Sequence, residues 1–222
     1  MKKIFTILYS VIVVVVICSI YKSPAIQLFA KPLITLSLLI YFFFRHQNKL
    51  TKGDRLLVVG LIFGLIGDLV IIDESNLEIG ICLFLGMYIC YYQSFREEGK
   101  IIIFKDSYEF AKVLPVILAT FFYFGFTVLT RAPSHLLLLS AVYSFLLLIF
   151  MIVAHVRQSS KLSYNYGLVS SWCFALSSAL FSYRQFSWQF HIDMIFIVIF
   201  YSIAQYLYVH AKLEHNKFKN QI

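Results

Sequence analysis

Apolar runs long enough to form helices recur along the chain, separated by short stretches where Lys, Arg, Asp, Asn, Gly or Pro collect. Runs of about 17 to 25 apolar residues match a bilayer core of about 30 Å when helical, and a helix satisfies its own backbone in hydrocarbon. The pattern predicts eight helices, over residues 4–20, 25–44, 56–72, 79–95, 113–129, 135–154, 164–182 and 192–209. An all-α, polytopic membrane protein follows, with residues 1–222 as one membrane domain and no soluble domain. The first run follows Met1-Lys2-Lys3 like a signal peptide, but no small-x-small cleavage site comes after it, so it is counted as a span.

Composition agrees. Hydrophobic residues make up 60% and charged residues 14% of the 222, too much apolar surface for a water-soluble core to hide. Charge then sets the orientation. With eight spans, Lys2, Lys3, Arg45, Lys49, Lys52, Arg55, Arg96, Lys100, Lys105, Lys112, Arg157, Lys161, Lys212, Lys217 and Lys219 share one side, and Lys22, Lys31, Arg131 and Arg184 the other. By the positive-inside bias both termini are expected in the cytoplasm, in the inner membrane if the source is bacterial. The net charge of +8 then faces anionic lipid headgroups, and a nucleic-acid partner is not expected.

The stretch from Gly60 to Phe95 holds the most informative chemistry. Two helices flank the acidic turn Asp73 to Glu78, and Asp68 is set among apolar residues just before it. A carboxyl within a span is costly and marks a functional site by default. Its expected depth is roughly 7 Å short of the outer helix end. Gly60, Gly64, Gly67 and Asp68 recur at helical spacing, a stripe along which another helix can approach. Ser171, Ala175, Ser178 and Ser182 form a similar face on the seventh helix, with Ser177 beside it. Taken alone, both stripes read as packing seams. Lys31, His191 and Asp193, at outer helix starts, complete an expected polar ring around one outward-opening cavity.

Other chemistries lack support. No G-x-S-x-G surrounds a serine, and neither H-x-x-x-H nor H-E-x-x-H occurs, so neither a nucleophile elbow nor a zinc site is expected, and no cofactor or metal. Cys18, Cys82, Cys90 and Cys173 stand singly in apolar segments and read as small hydrophobes. Helices 3 and 7 share Phe-Gly/Ala-Leu, at Phe63 to Leu65 and Phe174 to Leu176, a faint repeat of the kind seen in transporters.

Lys31-Pro32-Leu33, Phe63-x-x-x-Gly67-Asp68, the spaced set Gly80, Phe84, Tyr91 and Phe95, Tyr143 with Met151, Phe174-Ala-Leu-Ser177, and Tyr201 with Ala204-Gln205 follow one another in order. In these the chain resembles the YhhN family of multi-pass membrane proteins, which includes the lysoplasmalogenases, over nearly its whole length. The resemblance implies a hydrolase that cleaves the vinyl ether of a lysoplasmalogen, a lysophospholipid-like substrate, by acid and base catalysis. Family members of known activity are thought to rely on two aspartates, at the positions of Asp68 and Ser178. Here the second is serine, and Tyr88 stands where the family often has histidine. That chemistry needs an acid that holds its proton and a base for the water, like a paired-carboxylate glycosidase. Asp68 is expected to be the acid, with Ser178 orienting water and Asp193 or His191 supplying a base; Gly64, Gly67, Tyr88, Tyr201 and Gln205 join the cavity. The alternative is a family member with impaired catalysis that binds or transports lipid.

Overall fold

The computed structural model of the chain describes residues 2–20, 24–46, 49–72, 74–98, 107–187 and 192–219. They form eight helices and no strand: α1 (Lys2–Ile20), α2 (Pro24–Arg45), α3 (Lys52–Val70), α4 (Leu77–Arg96), α5 (Ser107–Tyr123), α6 (Ser134–Val156), α7 (Lys161–Phe186) and α8 (Asp193–Lys219). A π segment (Phe124–Val128) and one further turn (Leu129–Arg131) prolong α5, and a 3-10 turn (Glu74–Asn76) precedes α4. Among the described residues, five stretches are long and apolar enough to cross a membrane: Lys2–Ile20, Leu77–Arg96, Val113–Arg131, Ser134–Val156 and Asp193–Lys219.

Burial is inverted relative to a water-soluble protein. Ile4, Ile7, Leu8, Val11, Val14 and Val15 of α1 are all at least half exposed, whereas Asp54, Asp68, Arg157 and Lys212 are buried. Such an arrangement is stable where the solvent is lipid and polar groups satisfy one another inside.

Several helix boundaries differ from the hydropathic reading, and polar pairing accounts for the start of α3 and the end of α8. α3 begins four residues early because Thr51 and Asp54 close a capping box: each side chain accepts from the other residue's backbone N–H. α3 also ends at Val70, so Asp68 lies in its last turn, nearer the end than expected. α8 continues ten residues past Val209, because Lys212, His215 and Asn216 find buried partners that an apolar-run criterion ignores.

α8 occupies the interior, and α7 is laced to it by serines. Ser163, Ser170 and Ser177 donate to the carbonyls of Ala211 (2.7 Å), Ala204 (2.7 Å) and Ile197 (3.0 Å). Both sets step by seven in opposite directions, the repeat of two antiparallel helices in left-handed contact. The expected face Ser171, Ala175, Ser178 and Ser182 is therefore not the whole seam; the ladder to α8 runs along its neighbour, with Gly167 between Ser163 and Ser170.

The glycine stripe of α3 packs mainly against α4. A Cβ on Gly60 would lie 2.5 Å from a Tyr91 ring carbon, and one on Gly67 would meet Phe84 at 3.3 Å. On Gly64 it would touch Met87 at 3.0 Å and both Tyr201 and Gln205 of α8 at 3.3 Å. Tyr91 cannot retreat: its ring stacks on Tyr208 at 4.0 Å and its hydroxyl is bonded to Gln205.

At the end of the bundle holding the starts of α3 and α7 and the ends of α4, α6 and α8, a buried charge network joins the helices. Arg157 pairs with Glu98 and lies 4.0 Å over the Phe95 ring, and Lys212 reaches Glu98 at 3.2 Å. Nearby, Asn216 bonds Asp54 at 2.8 Å. Lys2 of α1 reaches Tyr166 of α7 at 3.4 Å, so α1 starts at this end too. Burial raises the Asp54 carboxyl, yet hydrogen bonds from Asn216 and Thr51 outweigh it and hold it below its ordinary range.

Two outcomes follow. Gly60→Leu overpacks the α3–α4 seam and lowers stability by about 1–3 kcal/mol, read as a lower unfolding temperature in detergent. Asp54 is depressed in the fold, so its contribution is complete above the unfolded-state value of about 4 and is lost as pH falls through the folded one. Asp54→Asn makes unfolding temperature fall less steeply with acid; an unchanged slope contradicts the assignment.

Candidate functional site

Asp68 is the polar centre of the opposite end. Its side chain is 1% exposed. Oδ2 accepts from the Tyr201 hydroxyl of α8 at 2.9 Å and from Thr35 of α2 at 3.1 Å. Oδ1 lies 3.7 Å from Lys31 Nζ and has no hydrogen-bond partner. Last-turn carbonyls present the negative end of the α3 dipole, so these donors supply what its own helix cannot.

Local sequence explains the convergence. Lys31 and Thr35 are one helical turn apart on α2 and present cation and hydroxyl to the same carboxyl. Gly64 removes bulk from α3, letting Tyr201 and Gln205 approach from α8, and Gly67 does the same for Phe84 of α4. Gln205 is buried and continues the chain inward: its Nε2 donates to Tyr201 at 3.0 Å, and its Oε1 accepts from Tyr91 at 2.6 Å.

A second polar group faces the same space. Ser178 lies 2.9 Å from the Tyr143 hydroxyl and 3.1 Å from that of Tyr88, and Tyr143 donates to Tyr88 at 3.4 Å. Tyr88 thus finds its partners in α6 and α7. The three hydroxyls close a triangle in which each can donate once and accept once. The group is uncharged.

Both polar groups line one cavity between α2, α3, α4, α6, α7 and α8, whose empty space is about 830 Å³ with the solvent at its mouth included. Lys31, Asp68, Tyr88, Ser177, Ser178 and Tyr201 reach it, as do Ser140, Tyr143 and Gln185. Ile71, Leu77, Ile81, Phe84, Phe181, Ile197 and Val198 supply an apolar wall. α3 and α7, the helices paired by the faint repeat, face one another across it.

The remaining sequence candidates lie elsewhere. Gly64 and Gln205 stand behind the wall and position Tyr201, and Gly67 faces Phe84. Asp193, at the start of α8, accepts from Arg184 and from the Met194 backbone, each at 2.5 Å, and does not line the cavity. His191 and Asp73 fall outside the described residues. No group of three or more His, Cys, Asp or Glu able to hold a metal occurs among the described residues.

Sequence reading missed Thr35, Ser140 and Gln185. Thr35 carried a signal in its i+4 spacing from Lys31; Gln185 continues the Ser178 and Ser182 face by one turn, and Ser140 stands one turn before Ser144.

Comparison with curated proteins and with solved structures finds no match. The family model described as YhhN family matches residues 26–211, which include every residue that lines the cavity. Its extent over most of the chain establishes that this protein belongs to the YhhN family.

Proposed function

We propose that the protein hydrolyses the vinyl ether bond of a lysoplasmalogen-like lipid held in this cavity, with Asp68 as the proton donor. The observation that carries the reading is the asymmetric carboxyl: two hydroxyls occupy Oδ2, while Oδ1 has no hydrogen-bond partner, beside a large apolar-walled space. In this reading the eight helices span the membrane with both termini in the cytoplasm. The cavity lies in the outer half, away from the basic chain ends.

The chemistry balances with one carboxyl. Asp68 transfers its proton to the alkenyl carbon one bond beyond the ether-bearing carbon; its O–H bond breaks, a C–H bond forms and the ether carbon becomes an oxocarbenium ion. Water adds at that carbon, and its proton passes to the Asp68 carboxylate. The resulting hemiacetal collapses to a fatty aldehyde and the free glycerophospho-alcohol. Tyr201, Thr35 and the Lys31 ammonium stabilise the carboxylate in the interval after donation. Hydrogen bonds to a charged group are worth about 1.5–3 kcal/mol each. The apolar wall accommodates the alkenyl chain and keeps bulk water from the cation. Ser178, Tyr88 and Tyr143 orient the attacking water but cannot keep its proton, so Asp68 serves as acid and then as base.

A second reading rests on that same uncharged triangle. Where family members of known activity are thought to use a second aspartate, Ser178 is bonded to two tyrosines, and Asp193 is engaged by Arg184. On this reading the cavity holds the lipid without turnover.

Aldehyde release from a lysoplasmalogen by the purified protein in detergent separates the two. The hydrolase reading expects release by the wild type, a loss of at least about 100-fold in Asp68→Asn, and a gain of roughly tenfold or more in Ser178→Asp. No release from folded wild type or Ser178→Asp, with lipid still bound, supports the second reading and overturns the first.

A further inference from the structure

The hydrogen bonds behind Asp68 have a direction, and Gln205 sets it. Its side-chain amide has one donating and one accepting end. The Nε2 end faces Met87 Sδ at 3.3 Å and the Tyr201 hydroxyl at 3.0 Å; the Oε1 end faces the Tyr91 hydroxyl at 2.6 Å. A thioether sulfur accepts and never donates. Rotating the amide by half a turn would therefore set a carbonyl oxygen against the sulfur and lose an N–H bond in a site that is fully buried.

The orientation propagates. Because Tyr201 receives an N–H from Gln205, its own proton goes onward to the nearer of its two other neighbours, Asp68 Oδ2 at 2.9 Å and not Thr35 Oγ1 at 3.4 Å. Thr35 adds a second hydroxyl proton to the same oxygen at 3.1 Å. In a neutral carboxyl, the oxygen that accepts two donors is the carbonyl oxygen, so the acid proton resides on the other. That other oxygen, Oδ1, is the one with no hydrogen-bond partner. Lys31, 3.7 Å from it, is an ammonium with no lone pair to receive a proton.

We propose that Gln205 is a positioning residue: by fixing the direction of the chain Tyr91–Gln205–Tyr201–Asp68, it confines the acid proton of Asp68 to Oδ1, the oxygen that no hydrogen bond holds. This inference rests on the hydrolase reading above for its catalytic consequence. Without the amide donor, Tyr201 is free to accept, and Asp68 can carry its proton on Oδ2 instead, pointed at Tyr201.

The test combines spectroscopy with kinetics on the full chain in detergent. At a pH where Asp68 is protonated, its carboxyl C=O infrared band is identified by its absence in Asp68→Asn. Wild type shows one band. Gln205→Met, close in shape but unable to donate, splits or shifts it as the second proton position becomes populated. Its kcat falls roughly 3- to 10-fold with KM little changed, about the cost of one hydrogen bond between neutral groups. In a Tyr201→Phe background the same replacement adds no further loss, because both act through one hydroxyl.

Gln205→Glu provides the rescue. Its neutral acid form still donates to Tyr201 and keeps the single band; its ionised form accepts only, so the band splits and kcat falls as pH rises. If Gln205→Met does not fold, this titration carries the comparison alone. An Asp68 band unchanged by Gln205→Met, or by ionisation of Glu in Gln205→Glu, overturns the proposal, as does an equal kcat loss in both Tyr201 backgrounds. Absence of aldehyde release by the wild type overturns the hydrolase reading instead, and the band still decides whether Gln205 directs the proton.

Discussion

A carboxyl group placed where water does not reach must find its hydrogen bonds inside the protein, and that requirement organises this bundle. Asp68 is answered by α2 through Lys31 and Thr35 and by α8 through Tyr201. Tyr201 can reach it only because Gly64 leaves α3 without bulk on the side that meets α8. The carboxyl is thus both a cost that the fold must offset and the reason three helices meet at one depth. Removing a partner would leave a buried polar group exposed to hydrocarbon, so site and fold are held by the same contacts.

The two ends of the bundle solve opposite problems. At the end containing the Glu98, Arg157 and Lys212 network, two cations share one buried carboxylate and bind helix ends together. A network of that kind fixes the geometry of the helix ends. At the other end, Asp68 and several hydroxyl-bearing side chains line an open, mostly apolar space. Between them, Tyr88, Tyr91, Phe95, Phe150, Phe174 and Tyr208 form a packed aromatic layer. The layer separates the charge network from the cavity, which accounts for the polar positions of the cavity ending part-way along the helices.

Much of this was legible in the sequence because lipid imposes strong rules on composition. Eight helices follow from apolar runs, and Asp68 announces itself by its cost. Helix ends were less legible, since they are decided by polar pairing: the Thr51–Asp54 box lengthens α3, and Lys212 with Asn216 draws out α8. The serine ladder at Ser163, Ser170 and Ser177 lies one residue from the face that the sequence drew attention to, because serine occurs on several faces of α7 and only the partner carbonyls single out one. Asp193 looked available as a base by position, but Arg184, nine residues earlier, takes its carboxylate. Such a pairing depends on tertiary approach, for which periodicity has no signal.

Protonation at carbon by Asp68 is the claim on which the functional account turns, and isotope incorporation reads it directly. The purified protein is incubated with lysoplasmalogen in deuterium oxide, and the aldehyde is reduced at once to the alcohol to prevent later exchange. The account predicts a single deuterium on the carbon next to the former aldehyde carbon, formed at a rate that depends on Asp68. Aldehyde carrying no solvent deuterium there, or formed equally fast by Asp68→Asn, would contradict it.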